Sequence, residues 1–338
     1  MSERDDQIVR FLASAGWAGA VRRPLAGDAS FRHYERLSRS GGSAVLMDAP
    51  PPKEDVRPFL AIARHLSRLG YSAPVIKAAD EVAGFVLLED LGDDLYTRVL
   101  AGPDGARLEP ELYAAAIDLL ADLHTRQAPE GLARYDEPRL LTETELFLDW
   151  YVPRRFGRMV EPAEREAYRA AWREVLPFAW RAPAALALRD YHADNLIWLP
   201  TRGGTTPDPQ GICRVGLLDF QDAIVAPMPY DLVSLLEDAR RDVPAPLVET
   251  MIARYLAARP ELDETIFRTA YAVLGAQRNV RILGIFSRLC VRDGKARYLG
   301  FLPRVWALVE HDLSHPALAP VARWFARAVP PAERERAA

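Results

Sequence analysis

Several short stretches of residues 21–91 alternate apolar and polar side chains, a period typical of strands with one buried face. The clearest stretches are residues 34–37, 44–47, 75–77 and 85–88. Apolar residues at helical spacing occur within residues 8–12, which precede these stretches, and within residues 56–66, which lie among them. The pattern therefore predicts a small antiparallel sheet, a short opening helix and one longer helix.

Beyond Gly92 the apolar spacing changes to that of helices. Helical periodicity covers residues near 110–126, 143–157 and 163–180, and it returns from about residue 230 to residue 328. A strand-rich island at residues 186–219 interrupts the helices, and its loop at residues 202–209 is predicted to be a mobile hairpin tip. We therefore expect an α+β fold with two lobes, at residues 1–91 and 92–330. The charged tail at residues 331–338 is predicted to be disordered.

The composition is that of an ordinary globular protein and narrows the range of partners. Of the 338 residues, 49% are hydrophobic and 27% are charged, and the formal net charge of -4 provides no basic surface for nucleic acid. The two cysteines, Cys213 and Cys290, belong to no paired motif, which argues against a disulfide framework or a cysteine zinc site. Since neither a signal segment nor a membrane-length apolar run occurs, we expect a cytoplasmic monomer without membrane partners.

Polar side chains that suit phosphoryl transfer lie beside two apolar runs of the island. Asp190 precedes Asn195 by five residues, and Asp219 ends the next strand-like run. Transfer from ATP needs a carboxylate that orients the acceptor hydroxyl and takes its proton, and oxygen ligands for Mg²⁺. Each of these residues alone would be an ordinary turn former, but their joint spacing beside strands favours catalysis. We therefore predict Asp190 as the catalytic base and Asn195 and Asp219 as metal ligands.

Three segments resemble the aminoglycoside-phosphotransferase/choline-kinase superfamily. Residues 188–196 are similar to its catalytic loop, residues 217–220 to its metal-binding segment, and residues 226–232 to its G-x-P-x-x-D-L element. The resemblance covers nearly the whole chain and implies a bilobal protein-kinase-like fold with ATP in the cleft. It makes residues 1–91 the nucleotide-binding lobe and residues 92–330 the catalytic and substrate lobe. It also implies that Asp231 braces the catalytic loop.

Two departures from the family pattern affect the catalytic loop and the phosphate-binding groups. Leu188 and Arg189 replace the usual His and Gly before the catalytic Asp, and Met47 stands where a strand normally carries the phosphate-binding lysine. Arg32 is our candidate for the missing positive charge, because a guanidinium binds phosphate in a bidentate manner. The alternative is that Arg32 is an ordinary surface or strand arginine.

The other nucleotide contacts follow from the family layout. It assigns Ser30, in the loop at residues 27–31, to the phosphates of ATP. It also places the hinge at residues 85–92, where backbone groups near Glu89 and Leu91 would bond adenine. The alternative for this segment is a strand that is simply followed by a turn.

Acidic and histidine side chains near the catalytic loop are candidates for acceptor binding. His192 and Asp194 lie inside the loop and could touch sugar hydroxyls, with loop-stabilising hydrogen bonds as the alternative. Glu145, with Asp149 in the same helical segment, is a further candidate, and an exposed helix carboxylate is its default interpretation. The sequence leaves both alternatives open.

A group of arginines indicates an anionic acceptor. Arg278 shares one face of an apolar helical segment with Arg281 and Arg288. A positive face suits a sugar that bears a carboxylate and suits a polycationic aminoglycoside poorly, which makes Arg278 a substrate-binding candidate. The alternative is salt bridging to Glu237 or Asp238.

A narrower resemblance concerns the substrate. The segments at residues 189–196, 218–223, 231–243 and 277–279 are similar to those of the bacterial anomeric amino-sugar kinases of cell-wall recycling. The resemblance implies phosphorylation of the C1 hydroxyl of N-acetylmuramate and N-acetylglucosamine by ATP and Mg²⁺, which gives sugar 1-phosphates. The alternatives are an aminoglycoside- or choline-like kinase and a non-catalytic pseudokinase scaffold. A protein kinase is disfavoured, because no long activation loop or A-P-E follows Asp219.

Overall fold

The computed structural model describes residues 3–25, 31–202 and 211–334. Met1–Ala116 and Ala193–Asp222 form one compact unit, here called the sheet unit. Ile117–His192 and Ala223–Ala338 form a second unit, the helical unit. The chain therefore changes unit between His192 and Ala193, inside the predicted catalytic loop. The predicted lobe boundary after residue 91 stays a prediction.

Among the described residues, the first five strands lie within residues 21–89 and most α-helices follow residue 95, a segregation typical of an α+β protein. The strands are β1 (Val21–Leu25), β2 (His33–Arg39), β3 (Gly42–Asp48), β4 (Ile76–Asp80), β5 (Phe85–Glu89), β6 (Ala184–Ala187), β7 (Leu196–Trp198), β8 (Val215–Leu217) and β9 (Ile224–Pro227). The α-helices are α1 (Glu3–Ser14), α2 (Arg57–Arg68), α3 (Tyr96–Leu100), α4 (Gly105–Leu123), α5 (Glu137–Thr144), α6 (Val152–Phe156), α7 (Pro162–Val175), α8 (Pro229–Leu236), α9 (Ala245–Ala258), α10 (Glu264–Val291), α11 (Leu302–Leu313) and α12 (Ala319–Ala328).

The sheet unit contains the five-stranded antiparallel sheet that the alternating pattern predicts. Its strand order is β1-β2-β3-β5-β4. Leu37 lies opposite Ala44, and Leu46 lies opposite Leu87, so these side chains share one face of the sheet. They pack against Ile8, Phe11 and Leu12 of α1 and against Trp17, which lies three residues beyond the end of that helix. Burial of each large apolar side chain in this layer contributes roughly 1.5–3 kcal/mol.

The helical unit is organised around α10, which is 28 residues long and buried over most of its length. Asp263 caps its first turn by accepting a hydrogen bond from the Ile266 N–H at 2.8 Å. At Gly284 an added Cβ would lie 2.3 Å from the carbonyl carbon of Leu146. The backbone of α10 therefore lies directly against the segment that follows α5.

Two predicted helical segments are interrupted. A π-helical turn at Phe147–Tyr151 separates α5 from α6, where Pro153 occupies the first turn and cannot donate a backbone hydrogen bond. α7 ends at Val175, just before Pro177, and a 3₁₀ turn at Leu176–Arg181 replaces the rest of the predicted helix. Apolar spacing does not register these interruptions, because the apolar positions continue through them.

One short strand pair, β7 with β8, lies within the predicted island at residues 186–219, and a second pair joins β6 at its start to β9 beyond its end. In the sheet unit β7 pairs with β8, and in the helical unit β6 pairs with β9, both in antiparallel orientation. Residues 203–210 and 335–338 lie outside the described residues, so the mobile hairpin tip and the disordered tail stay predictions. Within the described tail, Arg334 pairs with Glu310 at 2.9 Å. Nowhere in residues 3–25, 31–202 or 211–334 does a helix reach the length and apolar character that crossing a bilayer requires.

Candidate active site

Asn195 and Asp219 lie at the same end of the β7–β8 strand pair. Asn195 ends a 3₁₀ turn at Ala193–Asn195 and directly precedes β7, and Asp219 lies two residues beyond β8. Leu196 is opposite Leu217, and the Leu218 N–H donates a hydrogen bond to the Asn195 carbonyl oxygen at 3.0 Å. The sheet unit thus brings together the two predicted metal ligands, which are 24 positions apart in the sequence.

Asp219 has an unusual backbone and an accessible carboxylate. Its φ of 56° lies in the left-handed region, which costs a non-glycine residue roughly 1–2 kcal/mol. The side chain is 45% exposed, and its Oδ1 accepts a hydrogen bond from Gln221 Nε2 at 2.9 Å. A carboxylate and an amide oxygen are ligands that suit Mg²⁺. No three His, Cys, Asp or Glu side chains in the described part of the chain are grouped to hold a metal ion.

Arg32 is the cation beside Asp219. Its Nη1 lies 3.7 Å from Asp219 Oδ1, and its Nε donates to Glu54 Oε2 at 3.1 Å. Glu54 also accepts a hydrogen bond from the Phe31 N–H at 3.1 Å, so it holds both the backbone and the guanidinium. Burial works to lower the pKa of Arg32, but Tyr34, Glu54 and Asp219 together raise it. Arg32 is thus a permanent positive charge next to a predicted metal ligand.

The other predicted nucleotide contacts have different surroundings. Met47 is fully buried between Tyr34 and Val86 on the neighbouring strands, so no charge comes from that position. Glu89 ends β5, and its carboxylate pairs with Arg202 at 3.1 Å. The Leu91 side chain is buried. Ser30 lies outside the described residues, so its role stays a prediction.

Asp190 lies in the helical unit on a loop that Asp231 fixes. The loop follows β6, and the N–H groups of Leu188 and Arg189 donate to the Asp231 carboxylate at 2.6 and 2.9 Å. Ser234 Oγ donates to the Arg189 carbonyl oxygen at 3.0 Å. Asp231 is fully buried, and burial raises its pKa to about 7 although both N–H groups lower it. The contact expected between Asp231 and the catalytic loop is therefore present.

Three of the predicted acceptor-binding residues lie in different surroundings. His192 is buried, and its Nε2 lies 3.3 Å from Arg240 Nη1. Asp194 belongs to the 3₁₀ turn of the sheet unit. Glu145 accepts hydrogen bonds from Arg165 at 2.7 Å and from Arg169 at 2.6 Å. A sugar hydroxyl would have to compete with two guanidinium groups for Glu145.

Arg278 is buried in the middle of α10. Its Nη2 donates to Ser234 Oγ at 2.9 Å, which links it to the backbone of the catalytic loop. Within the described residues, its Nε and Nη1 have no hydrogen-bond partner, and its positive charge works to lower the pKa of Glu237. Two buried guanidinium nitrogens therefore remain available for an anionic group.

The sequence analysis did not predict two sets of polar contacts in the helical unit. Glu143 pairs with Arg281 at 2.8 Å and with Arg189 at 3.1 Å. Asn279 donates to Glu237 at 2.6 Å and to Asp312 at 3.0 Å. The only local signal was the presence of polar residues on the buried surface of an apolar helix, and such a signal does not identify a partner.

A cavity of about 570 Å³ lies beyond the C-terminal end of α8. Its lining includes Glu237, Asp238, Arg241, Tyr271, Asp312 and His315. None of the predicted acceptor-binding residues lines it. Its volume is in the range of small-molecule pockets.

The fold is that of the protein-kinase-like small-molecule phosphotransferases. The structure resembles choline kinase LicA from Streptococcus pneumoniae with a TM-score of 0.63 at 13% identity, over 93% of this chain and 100% of that chain. It resembles ADP-bound aminoglycoside phosphotransferase APH(2'')-Ib with a TM-score of 0.61 at 12% identity, over 91% of this chain and 97% of that chain. At these identities the likeness establishes the fold alone, and it confirms the predicted one.

Sequence relatives define the family. The model of the phosphotransferase enzyme family matches residues 21–265. The chain is 41% identical to the N-acetylmuramate/N-acetylglucosamine kinase of Caulobacter vibrioides, over 97% of this chain and 98% of that protein. It is 37% identical to the protein of the same name from Pseudomonas putida, over 93% of this chain and 91% of that protein. The chain therefore belongs to the phosphotransferase enzyme family, and the resemblance inferred from its motifs is confirmed.

Proposed function

We propose that this protein is a kinase that transfers the γ-phosphoryl group of ATP to the C1 hydroxyl of N-acetylmuramate and N-acetylglucosamine, in peptidoglycan recycling. The reaction class rests above all on one observation, the meeting of Asn195 and Asp219 at the end of the β7–β8 pair. The choice of sugar is supported by the names of relatives at 41% and 37% identity. The product is a sugar 1-phosphate.

The chain supplies the base and the metal ligands. Asp190 accepts the proton of the C1 hydroxyl as that oxygen attacks the γ-phosphorus in line, and ADP leaves as the bond from the γ-phosphorus to the β–γ bridging oxygen breaks. A hemiacetal hydroxyl is more acidic than an ordinary alcohol, which suits a carboxylate base. Asn195 and Asp219 would hold Mg²⁺ through their side-chain oxygens, and the ion when bound would neutralise charge on the phosphates.

ATP contacts come from the nucleotide-binding lobe, proposed at residues 1–91. Arg32 binds the phosphates, since its guanidinium lies 3.7 Å from Asp219 and the lysine position is occupied by a buried methionine. Ser30 contributes a further phosphate contact. Backbone groups near Glu89 and Leu91 bond adenine.

Acceptor contacts come from His192, Asp194, Glu145 and Arg278. Arg278 is the best supported of these, because two of its buried nitrogens have no hydrogen-bond partner in the described residues. An unsatisfied buried guanidinium favours an anionic ligand, and the carboxylate of N-acetylmuramate is such a group. We propose that the protein acts in the cytoplasm as a monomer.

Phosphorus NMR of reaction products tests the proposal. With ATP and Mg²⁺, N-acetylmuramate and N-acetylglucosamine should each give a sugar 1-phosphate signal, whereas choline and kanamycin should give none. Asp190→Asn should lower turnover by about 10²–10⁴-fold, because the general base is lost, without weakening ATP binding. Asp104→Asn, at an exposed carboxylate paired with Arg107, is the control and should retain activity. A kanamycin or choline product, or no product at all, would refute the assigned substrate.

A further inference from the structure

Arg189 occupies a backbone conformation that usually favours glycine. Its φ is 70°, and the residue immediately precedes Asp190. The N–H and carbonyl groups of Arg189 are held by Asp231 and Ser234. Its side chain is also buried rather than directed to solvent. The residue is therefore fixed from both its backbone and its side chain.

Glu143, on α5, holds the Arg189 side chain. One carboxylate accepts from Arg189 Nη2 at 3.1 Å, forms an ion pair with Arg281 Nε at 2.8 Å and accepts a hydrogen bond from the Tyr135 hydroxyl. The Arg189 guanidinium also lies 5.3 Å from the centre of the Tyr135 ring. We call Glu143, Arg189, Arg281 and Tyr135 the Glu143 cluster. It connects α5 and α10 to the residue before Asp190.

The Glu143 carboxylate is surrounded by three guanidinium groups, since Arg139 Nε lies 3.4 Å from it in addition to Arg281 and Arg189. Burial works to lower the pKa of Arg281, but Tyr230, Tyr135, Glu143 and Asp190 together raise it. The Glu143 carboxylate lies 2.8 Å from Arg281 Nε and 3.1 Å from Arg189 Nη2. Glu143 therefore links Arg281 on α10 to the residue directly before Asp190.

We propose that Glu143 and Arg281 are positioning residues that fix the Asp190 carboxylate for catalysis. The inference rests on the proposed role of Asp190 as the base. Arg281 holds the Glu143 carboxylate, and Glu143 holds the side chain of Arg189, the residue directly before Asp190. Arg189 has a left-handed backbone that costs energy in any residue other than glycine. These ion pairs hold it in that conformation and so fix the position of Asp190.

Steady-state kinetics of Arg281 variants test the proposal. Arg281→Gln should lower kcat with N-acetylglucosamine at least 10-fold and leave the KM for ATP within about 2-fold, because the ATP contacts proposed above do not include it. Arg281→Lys retains the positive charge and should recover most of the lost kcat. Arg268→Gln, at a partly exposed ion pair on the same helix, is the control and should leave kcat unchanged.

A double-mutant cycle shows whether Arg281 acts through Asp190. In an Asp190→Asn background, the further change Arg281→Gln should alter the residual turnover less than about 2-fold, because the group it positions is already gone. An equal loss in both backgrounds, or a single Arg281→Gln variant with kcat within 2-fold of the parent, overturns the proposal. If Arg281→Gln does not fold, Glu143→Asp must lower kcat at unchanged ATP KM, and an unaffected kcat there also overturns it. Full activity of Asp190→Asn would instead refute the proposed base.

Discussion

Arg189 and Asp219 are the non-glycine residues with positive φ in the described parts of the chain. Each conformation costs roughly 1–2 kcal/mol, so each persists only where neighbouring groups hold it. Asp231, Ser234 and Glu143 hold Arg189. Backbone strain of this kind clusters at functional sites, and both residues lie in the segments to which we assign the chemistry.

The charge of Arg32 can be tested at the scale of a single side chain. Arg32→Met should raise the KM for ATP about 10-fold or more, because the proposed cation at the phosphates is lost. Arg32→Lys should recover part of the affinity, since it restores charge without the bidentate geometry. Initial rates at varied ATP concentration measure both effects.

The matched control for Arg32 is Arg22→Gln. Arg22 pairs with Glu35 on the same sheet at 2.5 Å and is not among the proposed nucleotide contacts. Its loss should leave the ATP KM unchanged. An Arg32→Met variant that binds ATP normally but melts at a lower temperature would show that Arg32 is only the structural partner of Glu54.

Elements were predictable to the extent that apolar spacing determines them. The sheet and α2 follow from alternation and from one apolar face, and the structure has them within a few residues of the predicted positions. The π-helical turn at Phe147–Tyr151 was not predicted, and it begins where Gly284 of α10 lies directly against the chain, a contact between distant segments. Contacts between elements that are distant in sequence leave no trace in local periodicity.

Gly284→Ala tests this close packing. The new Cβ would lie 2.3 Å from the Leu146 carbonyl carbon, so α10 and the segment after α5 must separate. Overpacking of this kind should destabilise the protein by about 1–3 kcal/mol, seen as a lower Tm. Gly300→Ala, where nothing lies within 4 Å of an added Cβ, should leave Tm unchanged or slightly raised. Equal Tm values for the two variants would contradict the packing described here.

For the molecule as a whole, the sequence predicted the family and the fold, but it did not predict all the side-chain contacts around the site. Asp190, Asn195 and Asp219 stand in recognisable motifs, and the pairing of β7 with β8 explains why two of them meet. Glu143 could not be predicted, because its arginine partner Arg189 lies 46 positions away and no motif links them. The acceptor pocket is underdetermined for the same reason, since side chains from several helices would have to contribute to it.

Stability of the whole protein should depend on pH through a buried carboxyl pair. Glu237 and Asp312 both receive hydrogen bonds from Asn279, and burial raises the pKa of both, to about 7 for Glu237. Because the folded-state pKa of Glu237 exceeds its unfolded value of 4.5, its stabilising contribution is complete below pH 4.5 and is lost as the pH rises through 7. The loss amounts to at most about 3 kcal/mol.

Thermal melts of the parent and of Glu237→Gln at pH 5.5 and pH 8 measure this effect. The amide of the variant keeps an oxygen for Asn279 and cannot ionise, so its Tm should fall less between the two pH values than that of the parent. Glu174→Gln, at an exposed position of α7, should retain the parental pH dependence. If the Tm of Glu237→Gln and that of the parent fall by the same amount between these pH values, Glu237 does not change its protonation on unfolding. That result would contradict the raised pKa of Glu237 in the folded protein.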